Sequence, residues 1–213
     1  ITPSMRMKLR KGILVVFEGI DGSGKSTQAH LLLEWLQKKG FDVVYFREPS
    51  ASRWGRMIKK KALLADSISP EEELDLFVKD RRANVRKNLK PALNKKKFVI
   101  LDRYYYSTIA YQGAKGIDKG LIKRMNEEFV VQPDMVFVLD IDPEKGLARI
   151  ENRRRKYKLF EQEDYLMKVK EIFKSFKGKK FMHLDGLKAK DKISEGIKKA
   201  VLSYLKKGQF IVS

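Results

Sequence analysis

The octet Gly19-Ile20-Asp21-Gly22-Ser23-Gly24-Lys25-Ser26 constrains this chain more than any other stretch, because it fits G-x-x-x-x-G-K-[ST] and sits between two strongly patterned segments. Ahead of it, Ile13 to Glu18 reads as a β-branched, buried strand; behind it, Ala29, Leu32, Leu33 and Leu36 recur at helical spacing. Val43 to Phe46 then supplies a second strand, so Gly12 to Phe46 reads as a βαβ unit. In such a setting the glycines let the backbone curl, and successive N–H groups point inward around a phosphate. The helix N-terminus adds a favourable dipole, Lys25 a mobile positive charge, and Ser26 a hydroxyl suited to a Mg²⁺ ion that keeps most of its water. A glycine turn that only capped a helix would explain neither Lys25 nor the hydroxyl beside it.

Three more apolar runs, Phe98 to Leu101, Met135 to Leu139 and Phe181 to Leu184, are separated by stretches long enough for helical crossovers. Five parallel strands follow. Their apolar runs are nearly continuous, which requires cover on both faces, so the expected fold is α/β: a three-layer sandwich around a five-stranded parallel sheet with right-handed crossovers.

With 213 residues and 43% hydrophobic content, the chain fits one domain with a sizeable core. The absence of cysteine excludes disulfide scaffolds and thiolate chemistry, and two histidines are too few for a histidine-built metal site. Carboxylates, hydroxyls, Lys and Arg must carry any reaction. Lys plus Arg number 47 against 27 Asp plus Glu, a net charge of +20 that points to anionic partners. The basic clusters at 59–61, 95–97 and 177–180 read as solvated helix ends. Nothing resembles a secretory signal, and apolar runs such as Ile13 to Phe17 are far shorter than the ~20 residues of a membrane span, so a cytoplasmic location is expected.

A phosphate loop is shared by motors, GTPases, ATPases and small-molecule kinases. The chain is short for a motor and has no N-K-x-D pattern for guanine, which makes a small kinase the leading reading. The strand ending at Leu101 runs into Asp102-Arg103, and strand carboxyl ends border the ligand crevice of an open α/β sheet. Arg103 can grip a phosphate through two parallel N–H bonds, while Asp102 can hold a Mg²⁺-bound water or orient the arginine.

The run Phe17-Glu18-Gly19-Ile20-Asp21-Gly22-Ser23-Gly24-Lys25-Ser26-Thr27-Gln28, then Arg47-Glu48-Pro49, then Asp102-Arg103-Tyr104 with Ser107 and Ala110-Tyr111-Gln112-Gly113, closely resembles thymidylate kinase. The resemblance extends from about Gly12 to the C-terminal helix. It implies a nucleoside monophosphate kinase fold with a mobile lid, transfer of the γ-phosphoryl of Mg-ATP to dTMP in dTTP biosynthesis, and a homodimer. The short apolar runs argue against a membrane partner, and basic residues spread along the chain without a single-stranded-binding motif argue against nucleic acid. The expected organisation is an N-terminal extension at 1–11, a kinase domain at 12–207 with a lid at about 149–162, and a tail at 208–213; the four residues ahead of Met5 read by themselves as a cloning remnant.

On that resemblance Gly19, Ile20, Asp21, Gly22, Ser23, Gly24, Lys25, Ser26 and Thr27 hold ATP, with Arg149 and backbone near Asp185 to Lys188 beside the adenine. Ser26 and Asp102 serve the metal. Phe77 stacks on thymine and Arg81, one helical turn later, reaches a base carbonyl; an i, i+4 pair shares one helix face, which suits this. Thr108 and Gln112 line the base and sugar region with Ser107 nearby, Tyr111 selects deoxyribose, Pro49 packs on the acceptor, and Asp21 meets its sugar and Arg103.

The chain departs from its relatives in three places. Arg-Glu-Pro continues with Ser50-Ala51-Ser52-Arg53-Trp54-Gly55 rather than Gly-Gly-Thr, leaving Lys59, Arg53 or Arg56 as the acceptor-phosphate contact. Val78-Lys79-Asp80-Arg81 replaces a more usual Ala-Ser-Arg, which opens a broader pyrimidine or general nucleoside monophosphate kinase as an alternative. Position 22 is glycine, so the catalytic arginine is expected from the lid, as one of Arg153, Arg154 or Arg155 alongside Lys25 and Arg103. An alternative of another class, a basic nucleic-acid-binding NTPase, would show salt-sensitive binding and nucleic-acid-stimulated hydrolysis.

Overall fold

A computed structural model describes residues 7–64, 68–150 and 159–212. Along the chain run β1 (Lys8–Leu9), β2 (Ile13–Glu18), α1 (Lys25–Lys38), β3 (Val43–Arg47), α2 (Arg53–Leu64), α3 (Pro70–Asn84) and a π-helical turn (Val85–Leu89) into α4 (Lys90–Asn94). There follow β4 (Phe98–Asp102), α5 (Tyr105–Ala114), α6 (Lys119–Glu127), β5 (Met135–Asp140), α7 (Pro143–Ile150), α8 (Leu159–Ser175), β6 (Phe181–Asp185), α9 (Lys190–Lys207) and β7 (Ile211–Val212).

The expected five-stranded parallel sheet is present, in the order β3-β4-β2-β5-β6. Strand pleating sends alternate residues to opposite faces, and both faces are covered. Leu14 and Val16, Val99 and Leu101, and Val136 and Val138 pack with Leu74, Val85, Ile109, Ile122 and Val169 of the helices on one side. Ile13, Val15 and Phe17, Phe98 and Ile100, and Met135 and Phe137 pack with Leu32 and Leu36 of α1 and Ile197 and Val201 of α9 on the other. All six residues of β2 are buried, as a central strand between two helical layers requires.

The register sets the site. Phe17 of β2 and Arg47 of β3 both align with Asp102 of β4, so the chain leaves these strands at one level, at Glu18-Gly19, Glu48 and Arg103. The flanking order β4-β2-β5 makes this a switch point where the crevice opens. The segments read from sequence as extension and tail pair antiparallel as β1 and β7, and Leu9 joins the core on the α1 side.

Candidate active site

Two cavities meet at the carboxyl edge of the sheet. One, of about 560 Å³, is lined by the loop from Asp21 to Ser26 and by Arg149, Gly186, Lys188 and Lys190. The other, of about 260 Å³, is lined by Glu48, Pro49, Phe77, Arg81, Arg103, Tyr104, Ser107, Thr108, Tyr111 and Gln112. Asp21 and Arg47 line both.

The loop builds the first cavity. Gly22 has φ 76°, and a Cβ there would stand 2.1 Å from the Gly146 carbonyl oxygen, so only glycine lets the loop pass α7. Gly24 precedes α1, and among the described residues no side chain caps that N-terminus, which leaves its first N–H groups directed at the cavity. Lys25 Nζ donates to the Ile20 carbonyl at 2.6 Å. Burial pushes this ammonium down to about 7, the Arg103 charge adds to the effect, and Asp21, Asp102 and Glu18 oppose it. Arg149 spans the cavity mouth, donating to Gly22 O at 3.2 Å and Gly186 O at 3.1 Å.

Arg103 stands in the wall of the second cavity and reaches back to the loop. It has φ 72°, uncommon for a side chain with a Cβ, and its N–H donates to Phe17 O at 2.9 Å. Its guanidinium donates to Gly19 O at 3.3 Å and to Ser107 Oγ at 3.0 Å, and pairs with Asp21. Tyr111 OH stands 3.4 Å from the other Asp21 oxygen.

Glu18 underlies this junction. Its carboxylate accepts from Tyr104 N at 2.8 Å, Ser107 N at 3.2 Å and Ser107 Oγ at 2.5 Å, which satisfies the first turn of α5. Burial pushes Glu18 up to about 7, although Ser107 and Arg103 pull the other way. Raised above the ordinary 4.5, it makes the folded state hold an extra proton. Its contribution is therefore fully favourable below pH ~4.5 and is lost as pH rises through about 7. Glu18→Gln keeps the shape and removes the titration. In urea unfolding at pH 5 and pH 8, the variant should gain on the parent by on the order of 3 kcal/mol over that interval. Parallel pH dependence in the two proteins would contradict this.

In the second cavity Phe77 and Arg81 project together from α3, which begins with Pro70 behind a Ser69–Glu72 capping box. Arg81 spends three of its five N–H groups on protein. Nε donates to Glu48 at 2.8 Å, Nη1 to Asn126 Oδ1 at 2.6 Å and Nη2 to Thr108 Oγ1 at 2.9 Å. Asn84 adds a 3.1 Å bond to Glu48, and Gln112 is held by Glu73 at 2.6 Å. Asn84, Asn126 and Glu73 were missed from sequence; Asn126 lies 45 residues from Arg81, and no local signal pointed to it.

Three basic candidates for the acceptor phosphate lie elsewhere. Lys59 Nζ donates to Ser50 O at 3.2 Å, Arg56 to Ala51 O at 2.6 Å, and Arg53 stacks 3.9 Å over the Trp54 ring; none lines the second cavity. Arg47, which precedes Glu48 and Pro49 at the end of β3, does line it. Arg153, Arg154 and Arg155 lie outside the described residues.

Ser26 and Asp102 meet, as a metal role requires. Ser26 Oγ donates to Asp102 Oδ2 at 2.5 Å, Tyr45 OH approaches the same oxygen at 3.0 Å, and the buried Oδ1 has no partner among the described residues. A hydroxyl beside an under-satisfied carboxylate at a phosphate loop fits hydrated Mg²⁺. Among the described residues no three His, Cys, Asp or Glu gather into a cage, so phosphate oxygens and water would complete the coordination. No described helix is long and apolar enough to cross a membrane.

Comparison with known proteins agrees with this geometry. The family model described as thymidylate kinase matches residues 17–197. A probable thymidylate kinase of Archaeoglobus fulgidus is 42% identical over 193 residues, covering 91% of this chain and 96% of the relative. Thymidylate kinases of Akkermansia muciniphila and Brachyspira hyodysenteriae are 43% and 40% identical, covering 90% and 88% of this chain and 92% of each relative. The crystal structure of thymidylate kinase from Ehrlichia chaffeensis superposes with a TM-score of 0.68 at 30% identity, covering 89% of this chain and 98% of that one. With two cavities at the carboxyl edge of the sheet that share Asp21 and Arg47, the chain belongs to the thymidylate kinase family, enzymes that phosphorylate dTMP with ATP.

Proposed function

We propose that the loop cavity takes Mg-ATP, that the second cavity takes dTMP, and that a phosphate oxygen of dTMP attacks the γ-phosphorus to give dTDP while ADP leaves. The observation that carries this is the shared wall: Asp21 and Arg47 border both cavities, and Arg103 reaches from the second cavity to the Gly19 carbonyl of the loop. Phosphoryl transfer needs little covalent help; alignment and charge neutralisation do most of it. Lys25 and the α1 N-terminus hold the donor phosphates, and Arg103 with Arg47 draws the acceptor phosphate toward them. Ser26 and Asp102 would hold Mg²⁺, which would supply positive charge against that of the donor phosphates. Phe77 and Pro49 supply apolar walls for the base, and Arg81, Thr108 and Gln112 supply polar groups at its edge.

The reading includes a kinase domain at 12–207 and a lid at about 149–162 that brings in Arg153, Arg154 or Arg155 to stabilise developing charge and exclude water. It also includes a homodimer and a cytoplasmic location. The test is a panel of dTMP, dUMP, UMP, CMP and AMP with Mg-ATP and product identification. The expected result is dTDP formation with kcat/KM for dTMP at least about 10²-fold above that for AMP. Equal turnover of dTMP and AMP would overturn the assignment.

A further inference from the structure

The loop that departs from Gly-Gly-Thr is tied down by a residue the mechanism above does not use. Residues 48–52 join β3 to α2 and run along the second cavity, with Glu48 and Pro49 in its wall. Adjacent residues of α3 hold the two ends of this segment. Arg81 holds Glu48 at 2.8 Å. Asp80, only 1% exposed, accepts from Ser50 N at 2.8 Å on Oδ2 and from Ser50 Oγ at 2.5 Å and Ser52 Oγ at 2.6 Å on Oδ1. Ser52 Oγ in turn accepts from Trp54 N and Gly55 N, each at 3.1 Å, so the group that caps α2 is pinned to α3.

We propose that Asp80 is a positioning residue for the acceptor nucleotide: its carboxylate clasps Ser50 and Ser52 and thereby sets where Pro49 and Glu48 stand in the dTMP cavity. The proposal rests on the reading of that cavity given above. The chemistry of the clasp requires a carboxylate. Ser52 Oγ already accepts two N–H bonds and can only donate to Asp80, while Ser50 N–H must also find an acceptor at the other oxygen. An asparagine would turn its NH₂ toward one of these and break it. The two serines that replace Gly-Gly-Thr therefore supply donors matched to Asp80. Space is matched as well: a Cβ on Gly55 would lie 2.2 Å from Ser50 O and 2.9 Å from Asp80 Oδ1, so nothing larger than glycine fits beneath the clasp.

Asp80→Asn, Ser52→Ala and Gly55→Ala disturb the clasp from three sides, and thermal melting selects those that fold. The expected result is KM for dTMP raised about tenfold in Asp80→Asn and Gly55→Ala, less in Ser52→Ala, with KM for ATP within about twofold of the parent. Hydrogen exchange should show the Ser50 amide losing protection in Asp80→Asn without any nucleotide present. Lost protection with an unchanged KM for dTMP, or equal rises in both KM values, overturns the positioning role while leaving the acceptor reading standing. A parent enzyme that does not use dTMP overturns the acceptor reading itself, and the exchange data then report the clasp alone.

Discussion

Lys25→Met should reduce phosphoryl transfer by on the order of 10³-fold or more while the protein stays folded. Lys25 is 6% exposed at the start of α1, with its Nζ on the Ile20 carbonyl, so donor phosphates in the loop would meet it directly. Methionine keeps the apolar stem and removes the ammonium. Because burial holds that ammonium down to about 7, against an ordinary 10.5, the fold gains nothing from the charge at neutral pH. The parent gains stability as pH rises from about 7 toward 10.5, where the unfolded chain holds the proton that the folded one has released. Lys25→Met should lack that rise. The same shift predicts that ATP binds the parent more weakly as pH climbs past 7, since phosphate favours the protonated lysine. Single-turnover assays, ATP titrations at pH 6.5 and 8.5, and urea unfolding check these points together. A folded variant with near-parental kcat would remove the loop from the mechanism.

The largest effect on stability is expected from Glu48→Ala, at about 3–5 kcal/mol. Glu48 and Arg81 are 3% and 1% exposed, and the pair at 2.8 Å places two charges where water cannot solvate either. Burial pushes the Glu48 carboxyl above its usual range while Arg81 and Asn84 restrain it. Removing the carboxylate leaves the guanidinium with only the neutral partners Asn126 and Thr108, and leaves the Asn84 amide without its acceptor. For a chain of this size the melting temperature should fall by on the order of 10 °C. Adding Arg81→Met to Glu48→Ala should recover part of the loss, because the uncompensated charge is then gone. Strictly additive losses in the double variant would mean that the pair does not act as one unit.

The strands were legible because their apolar runs are continuous, and only a sheet buried on both faces uses such runs; β2 and β4 differ from their expected bounds by at most one residue. The loop was legible because phosphate binding by backbone N–H groups imposes a local spacing of glycines, a lysine and a hydroxyl within eight residues. Phe77 and Arg81 shared a predicted helix face and do share one cavity. Where the three basic side chains after Pro49 would lie was not legible. Lys59, Arg53 and Arg56 are all near in sequence to Pro49, yet the loop folds so that Lys59 and Arg56 bond its carbonyls and Arg53 stacks on Trp54.

Sequence alone determined the features that have a local pattern: the five strands of the parallel sheet, the glycine-rich turn ahead of α1, and the carboxylate and guanidinium at the end of β4. Tertiary structure alone decided which polar groups satisfy one another across the crevice. Glu18 with Ser107, Arg81 with Asn126, and Asp80 with Ser50 and Ser52 are 89, 45, 30 and 28 residues apart. Such pairings follow from strand order and register, which bring chain segments together after collapse, and a buried donor or acceptor must find whatever partner that arrangement supplies.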